Sequence, residues 1–394
     1  MPAPAAAALA ALHFREPETA RLTDLDGHDR REALSYCDAQ GLTLLLRGVL
    51  PEETEEAARK NCLRLRVAEE TYRRLASLSG EFVALKGITQ CELFGIRPVD
   101  RTQYDIDLYF PRDTVEAARD VLLAQNYESI AGMENFPTDH LPGLFPRTPW
   151  RWRGDYFDPE MPLAIELHFQ FWNVPLDRLE APGVDEFWTR RMRRTIGGVE
   201  IAVLCPQDAV GYAALHLLKH VLHGSTRVFH VYELASFLDG HSADDEFWAE
   251  WKRLHAPPLR RLQAVTFALA EAWFGCALAP TARAETERLP AGTHAWLAEF
   301  AASPAVQPFQ PNKDELWLHL SLLERRRDKL SVARRRLLPG NLPPPSRATE
   351  SQSGRAVYAS WFASRMRHHV ISLAKAISSG WRWRRRVRRE NGIS

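Results

Sequence analysis

Between Asp105 and Phe110 the residues alternate acidic and apolar, Asp-Ile-Asp-Leu, before closing on Tyr109 and Phe110. No other stretch constrains the chain as tightly. In an extended strand, side chains two apart point to the same face. Asp105 and Asp107 are therefore expected side by side, with Ile106 and Leu108 turned into a core. Two carboxylates held that close repel each other unless a cation lies between them. Mg²⁺ is the expected ion, because it takes oxygen ligands and is shared between carboxylates and substrate phosphates. The alternation recurs at 163–169, where Ile165 and Leu167 anchor a strand whose other face carries Glu166 and His168. Glu166 on a neighbouring strand completes a carboxylate set for two metal ions, one at the attacking oxygen and one at the leaving group.

The surrounding residues supply phosphate-binding candidates. A short apolar run at 82–85 ends in Lys86-Gly87, and a helix is expected over 88–94. Gly87 allows close backbone approach, and the start of a helix favours an anion. Lys86 would add charge for a triphosphate, or else sit in a solvated turn. Arg101 is a candidate for phosphate or for the carboxylates, or pairs with Asp100 or Asp105 at the surface. His168 would orient Glu166 or a phosphate, or be a satisfied strand histidine. The turn at 111–113 leads into a helix expected at 114–125, with Asp113 as its N-cap. The proline- and aromatic-rich 132–162 reads as a long ordered loop or a poorly pairing hairpin. A second hairpin is expected at 194–204, around Gly197-Gly198. Strands and helices alternating in this way argue for a small α/β unit.

A chain of 394 residues exceeds one ordinary core, so flanking units are expected. We divide it into an N-terminal helical region at 1–79, a catalytic core at 80–204, a helical domain at 205–338, a Pro/Ser-rich linker at 339–354, and a helix with a basic tail at 355–394. Helical spacing is clearest at 29–46, 52–78, 208–222, 228–238, 246–254, 259–274, 314–337 and 355–378, and Pro51 suits a first helical turn. His216 and His220 share a helix face in a spacing that can bind zinc, but Leu217 stands where a zinc-protease HExxH motif has its glutamate, so packing or contact with base or acceptor is favoured over metal ligation. His230 and Glu233 would line the same cleft. Trp150, Trp152, Tyr156 and Phe157, among Arg147, Arg151 and Arg153, form either a stacking platform or a small core beneath a loop.

Charge is balanced, with 51 basic against 50 acidic residues, so it names no partner. Locally it is skewed: 365–389 holds nine Lys or Arg and no acid, with Trp381 and Trp383 among them. Such a segment suits nucleic acid, an anionic membrane surface, or a solubilising tail. Five scattered cysteines without a CxxC pair suggest neither a disulfide framework nor a cysteine zinc site, and a cytoplasmic protein is expected, peripheral to a membrane if the basic segment docks on one.

Taken in order, strand–Leu85-Lys86-Gly87–helix, Arg101-x-x-x-Asp105-Ile106-Asp107-Leu108, and Ile165-Glu166-Leu167-His168 resemble the branch of the DNA polymerase β-like superfamily made up of uncharacterised nucleotidyltransferases. The resemblance is close over 82–171 and looser over the helices from Pro206. It implies an α+β fold with a short mixed sheet, Asp105, Asp107 and Glu166 as catalytic metal ligands, and Gly87 in the superfamily's glycine turn, with Lys86 where this branch has its lysine. Lys86-Gly87-Ile88 departs from the Gly-Gly or Gly-Ser that most of the superfamily carries there. The activity implied is metal-dependent transfer of a nucleotidyl group from an NTP, ATP among them, to an acceptor hydroxyl on a small molecule, peptide, protein or RNA end. The alternative is a non-catalytic module that keeps the fold for binding, at a membrane or on RNA.

Overall fold

The computed structural model describes residues 1–76, 80–130, 138–338 and 355–391, with side chains from 362 onward in the last segment. The linker expected at 339–354 lies outside the described residues. The acidic and apolar alternation produces strands, and these assemble into one seven-stranded mixed sheet. In chain order they are β1 Val83–Ala84, β2 Asp105–Tyr109, β3 Tyr127–Ser129, β4 Leu144–Pro146, β5 Ala164–His168, β6 Met192–Ile196 and β7 Val199–Val203. Their spatial order is β3-β4-β5-β2-β1-β7-β6. β2 runs parallel to β5 and antiparallel to β1. The Gly197-Gly198 turn, both residues at positive φ, joins β6 and β7 as a hairpin.

The sheet core is made from the inward residues of these strands. Ile106, Leu108, Ile165 and Leu167 pack with Val115, Ala118 and Leu122 of the Val115–Ala124 helix. The N-cap of that helix is Thr114, which makes no side-chain capping bond, so Asp113 is not the N-cap expected of it. The stretch 132–162 contributes β4, which pairs with β3 and β5.

A larger apolar cluster joins the helices. The Pro206–His223, Val228–Gly240 and Pro257–Phe274 helices bury Leu215, Leu218, Leu234, Phe237 and Phe267 together. An alanine-rich helix, Ala3–Ala11, packs into the same cluster. Its seam is tied where the Phe14 N–H donates to the Phe274 carbonyl at 2.8 Å. Gly275 ends the helix in the left-handed region, and a Cβ there would come within 2.1 Å of the His13 ring.

Three helices of the flanking regions differ from expectation. The helical spacing at 29–46 becomes the Gly27–Gln40 helix, closed by Gly41 at φ 75°, and then a separate 3-10 turn at Thr43–Leu46. The helix expected over 314–337 is two, Glu315–Leu322 and Arg326–Leu337, parted where Leu323 turns extended. The basic tail is not a separate segment: one helix runs Arg355–Glu390 and docks by its small residues. Ser372, Ala376 and Ser379 are buried, Trp383 stacks on Trp317 at 5.6 Å, and a Cβ on Gly380 would meet Trp317 at 2.5 Å. No helix of the described residues is long and apolar enough to cross a membrane.

Candidate active site

The register of β2 against β5 builds the site. Asp107 lies opposite Glu166, and Tyr109 opposite His168. Asp105, Asp107, Glu166 and His168 thus share one face of two adjacent strands. Asp107 is almost fully buried, at 1% exposure, whereas Asp105 and Glu166 keep their side chains partly open.

Burying that much negative charge requires counter-charge, and the protein supplies it internally. Lys86 Nζ lies 3.2 Å from Asp107 Oδ2 and 3.7 Å from Asp105 Oδ2. From the other side His168 Nε2 is 3.0 Å from Asp107 Oδ1 and 3.7 Å from Glu166 Oε2. Burial opposes the charge on His168, but its bonds to Asp107 and Glu166 prevail and raise its pKa to about 9. Burial likewise opposes the charge on Lys86, and Asp105, Asp107 and Glu166 outweigh it, so the amine titrates above its ordinary range. For Glu166 burial is outweighed by His140 and His168, which hold its carboxyl below the usual range. Asp139, bridged to Lys219 at 2.8 Å, closes this charged wall, with its Oδ2 4.0 Å from His168 Nδ1.

The glycine turn is held by a residue that sequence reasoning missed. Gly87 sits at φ +92°, and an added Cβ would come within 2.5 Å of Gln103 Nε2. Gln103 Oε1 accepts from the Ile88 N–H at 2.9 Å, and its Nε2 donates to the Asp105 carbonyl at 2.9 Å. One buried amide thus clamps the turn to the start of β2. The backbone carbonyl of Gln103 accepts in turn from Arg64 at 2.6 Å, so the Pro51–Leu75 helix braces the approach to the site. In place of the helix expected at 88–94 there is a single 3-10 turn, Gly87–Thr89.

Arg101 is buried rather than exposed. Its Nε is 2.8 Å from Glu233 and its guanidinium lies over Phe229, which ties β2's approach to the Val228–Gly240 helix. The aromatic group divides: Phe157 is buried with Leu44 and Ala58, and the Trp150 indole donates to Asp158.

Opposite the carboxylates the helices present three histidines. His216 Nε2 lies 3.1 Å from Lys86 Nζ and 3.1 Å from His220 Nε2. The His230 ring approaches them at 5.3 and 5.8 Å. All three titrate well below the ordinary imidazole range, first because the cleft, where His216 is buried and His220 and His230 are half-buried, desolvates the charge, and then because Lys86, Lys219 and their own neighbours disfavour it.

The chain matches the family described as uncharacterised nucleotidyltransferase over residues 40–275, more than half of its length. It belongs to that family. No curated protein and no solved structure matches it. In this member of the uncharacterised nucleotidyltransferases the matched span includes the sheet, the glycine turn, both carboxylate strands and the three histidines, and it leaves out the Ala3–Ala11 helix and the basic Arg355–Glu390 helix.

Proposed function

We propose that the protein transfers a nucleotidyl group from a nucleoside triphosphate to an acceptor hydroxyl, with Asp105, Asp107 and Glu166 as its metal-binding carboxylates. The bond from the α-phosphorus to the bridging oxygen breaks, a bond to the acceptor oxygen forms as that hydroxyl gives up its proton to solvent, and pyrophosphate leaves. The observation that carries this reading is the Asp107–Glu166 register, which brings oxygen donors from two strands together on one face. The donor set fits Mg²⁺, being three carboxylates, one of them buried, whose charge Lys86 and His168 balance only in part. Two Mg²⁺ held there would supply charge stabilisation at the attacking oxygen and at the leaving pyrophosphate. The protein's own part is positioning. Gly87 keeps the turn beside β2 open, Gln103 holds it there, and Lys86 is close enough to exchange a carboxylate for a phosphate oxygen. His168 holds its proton between Asp107 and Glu166 and fixes both carboxylates.

Calorimetric titration of each NTP with Mg²⁺ against wild type and Asp105→Asn/Asp107→Asn tests the site. Binding that requires Mg²⁺ and vanishes in the double variant is expected. A folded wild type that binds no NTP would favour the non-catalytic module.

We place this activity at an anionic membrane surface. On the Arg355–Glu390 helix, Phe362, Met366, Val370, Ile377 and Trp381 recur at helical spacing and are 39–67% exposed, beside the face that docks on the protein. Nine basic residues between 365 and 389 accompany the stripe. Phosphates alone need no apolar stripe, whereas a lipid headgroup boundary takes both. Co-sedimentation with vesicles containing phosphatidylserine, lost on Val370→Asp/Ile377→Asp, is expected. Binding to RNA with none to vesicles would overturn the assignment.

A further inference from the structure

We propose that His216, His220 and His230 form a second cation site, one that takes a nitrogen-favouring transition-metal ion of the Zn²⁺ class and is separate from the carboxylate set. The proposal rests on side-chain placement and does not depend on nucleotidyl transfer.

The Pro206–His223 helix sets His216 and His220 one turn apart, and the first turn of the Val228–Gly240 helix brings His230 against them. One ring nitrogen from each lies within 4.8 Å of those of the other two. Three imidazoles with a fourth position left open is a common arrangement for Zn²⁺.

The hydrogen bonding is incomplete without a shared partner. His216 Nε2 has a single lone pair, yet both Lys86 Nζ and His220 Nε2 approach it at 3.1 Å. His230 Nδ1 is buried and has no hydrogen-bond partner. An ion accepting lone pairs from the three rings would resolve that competition, since Lys86 retains Asp107 at 3.2 Å and Asp105 at 3.7 Å. His220 already has the outer contact that metal-binding histidines use. Its Nδ1 meets Ser225 Oγ at 3.0 Å, which, with Nδ1 as donor, frees Nε2 as a ligand. The three rings are neutral, so none must lose a proton to bind. Nitrogen donors without a carboxylate select Zn²⁺, Co²⁺ or Ni²⁺ over Mg²⁺.

The test uses the full-length protein, stripped with chelator and titrated with Co²⁺ as a visible probe of Zn²⁺ sites. Wild type is expected to develop the d–d bands of nitrogen-ligated Co²⁺, and Zn²⁺ should bleach them. His220→Gln and His230→Gln should each weaken binding by more than about a hundredfold, beyond what loss of a group that only orients a ligand costs, and Ser225→Ala by about tenfold. Asp105→Asn/Asp107→Asn should keep the bands, so failure of the nucleotidyl-transfer reading would leave this result standing. Two outcomes overturn the proposal: a folded wild type without such bands, or bands abolished by the aspartate variant and kept by the histidine variants. Should the histidine variants fail to fold, Ser225→Ala decides it, and unchanged Co²⁺ affinity there counts against the site.

Discussion

The carboxylates of β2 and β5 and the histidines of the two facing helices meet at Lys86, yet the histidines of the two clusters end in opposite charge states, although burial opposes the charge in both. On the sheet, Lys86 and His168 are held charged among Asp105, Asp107 and Glu166, so the cluster is a dense salt in which two cations offset two of three carboxylates. Across Lys86, the same ammonium and the neighbouring Lys219 help to hold His216 and His220 uncharged. The difference comes from the partners, because histidine occurs in both places. His168 faces carboxylates and gains a proton; His216 faces a lysine and loses one.

The largest expected effect breaks the sheet side. Asp107→Ala should lower metal-dependent turnover on the order of a thousandfold, the several kcal/mol that metal charge stabilisation supplies, with the far-ultraviolet dichroism unchanged. Turnover retained in that variant would remove the carboxylates from the reaction. Next, Lys86→Met removes the cation that both clusters share and leaves Asp107 buried against reduced counter-charge. A loss of about 3–5 kcal/mol in urea unfolding without divalent ions is expected, partly recovered by Mg²⁺. An unchanged midpoint would make Lys86 a bystander.

A pH series sharpens the contrast. His319, a buried histidine of the helical half, has its pKa depressed by burial from 6.5 to about 4, and the three-histidine set is depressed likewise. The unfolded chain takes up these protons first, so stability is complete above pH 6.5 and declines as pH falls toward 4. His168 has the reverse sign: its contribution is complete below pH 6.5 and is lost as pH rises through about 9. Melting temperature against pH should therefore peak near pH 6.5, where the two slopes meet. A flat profile from pH 5 to 9 would contradict both assignments. The smallest effect is Gly87→Ala, about 1–3 kcal/mol for an alanine at positive φ against Gln103, part of it restored by adding Gln103→Ala. Additive losses in the double variant would show that Gln103 is not the obstacle.

The carboxylate strands were legible because alternation has a period of two and leaves a mark on adjacent residues. Asp105, Asp107 and Glu166 fell on one face as expected, and the hairpin at Gly197-Gly198 followed from turn chemistry. What depends on three-dimensional meeting was not legible. Lys86 was read toward a phosphate, and its partners include His216, 130 positions away. His230 is the exception: it was expected in the cleft of His216 and His220, and it arrives there from a different helix. Arg101 was placed near phosphate or surface acids, and the structure gives it Glu233. The break at Leu323 carries no proline or glycine to announce it, and the Trp317–Trp383 stack that steadies the basic helix joins two distant segments.

The seam at Phe14 and Phe274 has a consequence for the order of assembly. Arg15 and Gly275, bonded there through Arg15 Nε and the glycine carbonyl, are 260 positions apart. A contact of that span is entropically expensive to close and gains little until what lies between has settled. The seam is therefore expected to form late, as a latch that fastens the Ala3–Ala11 helix, packed locally on the Gly27–Gln40 helix, to a helical body already folded.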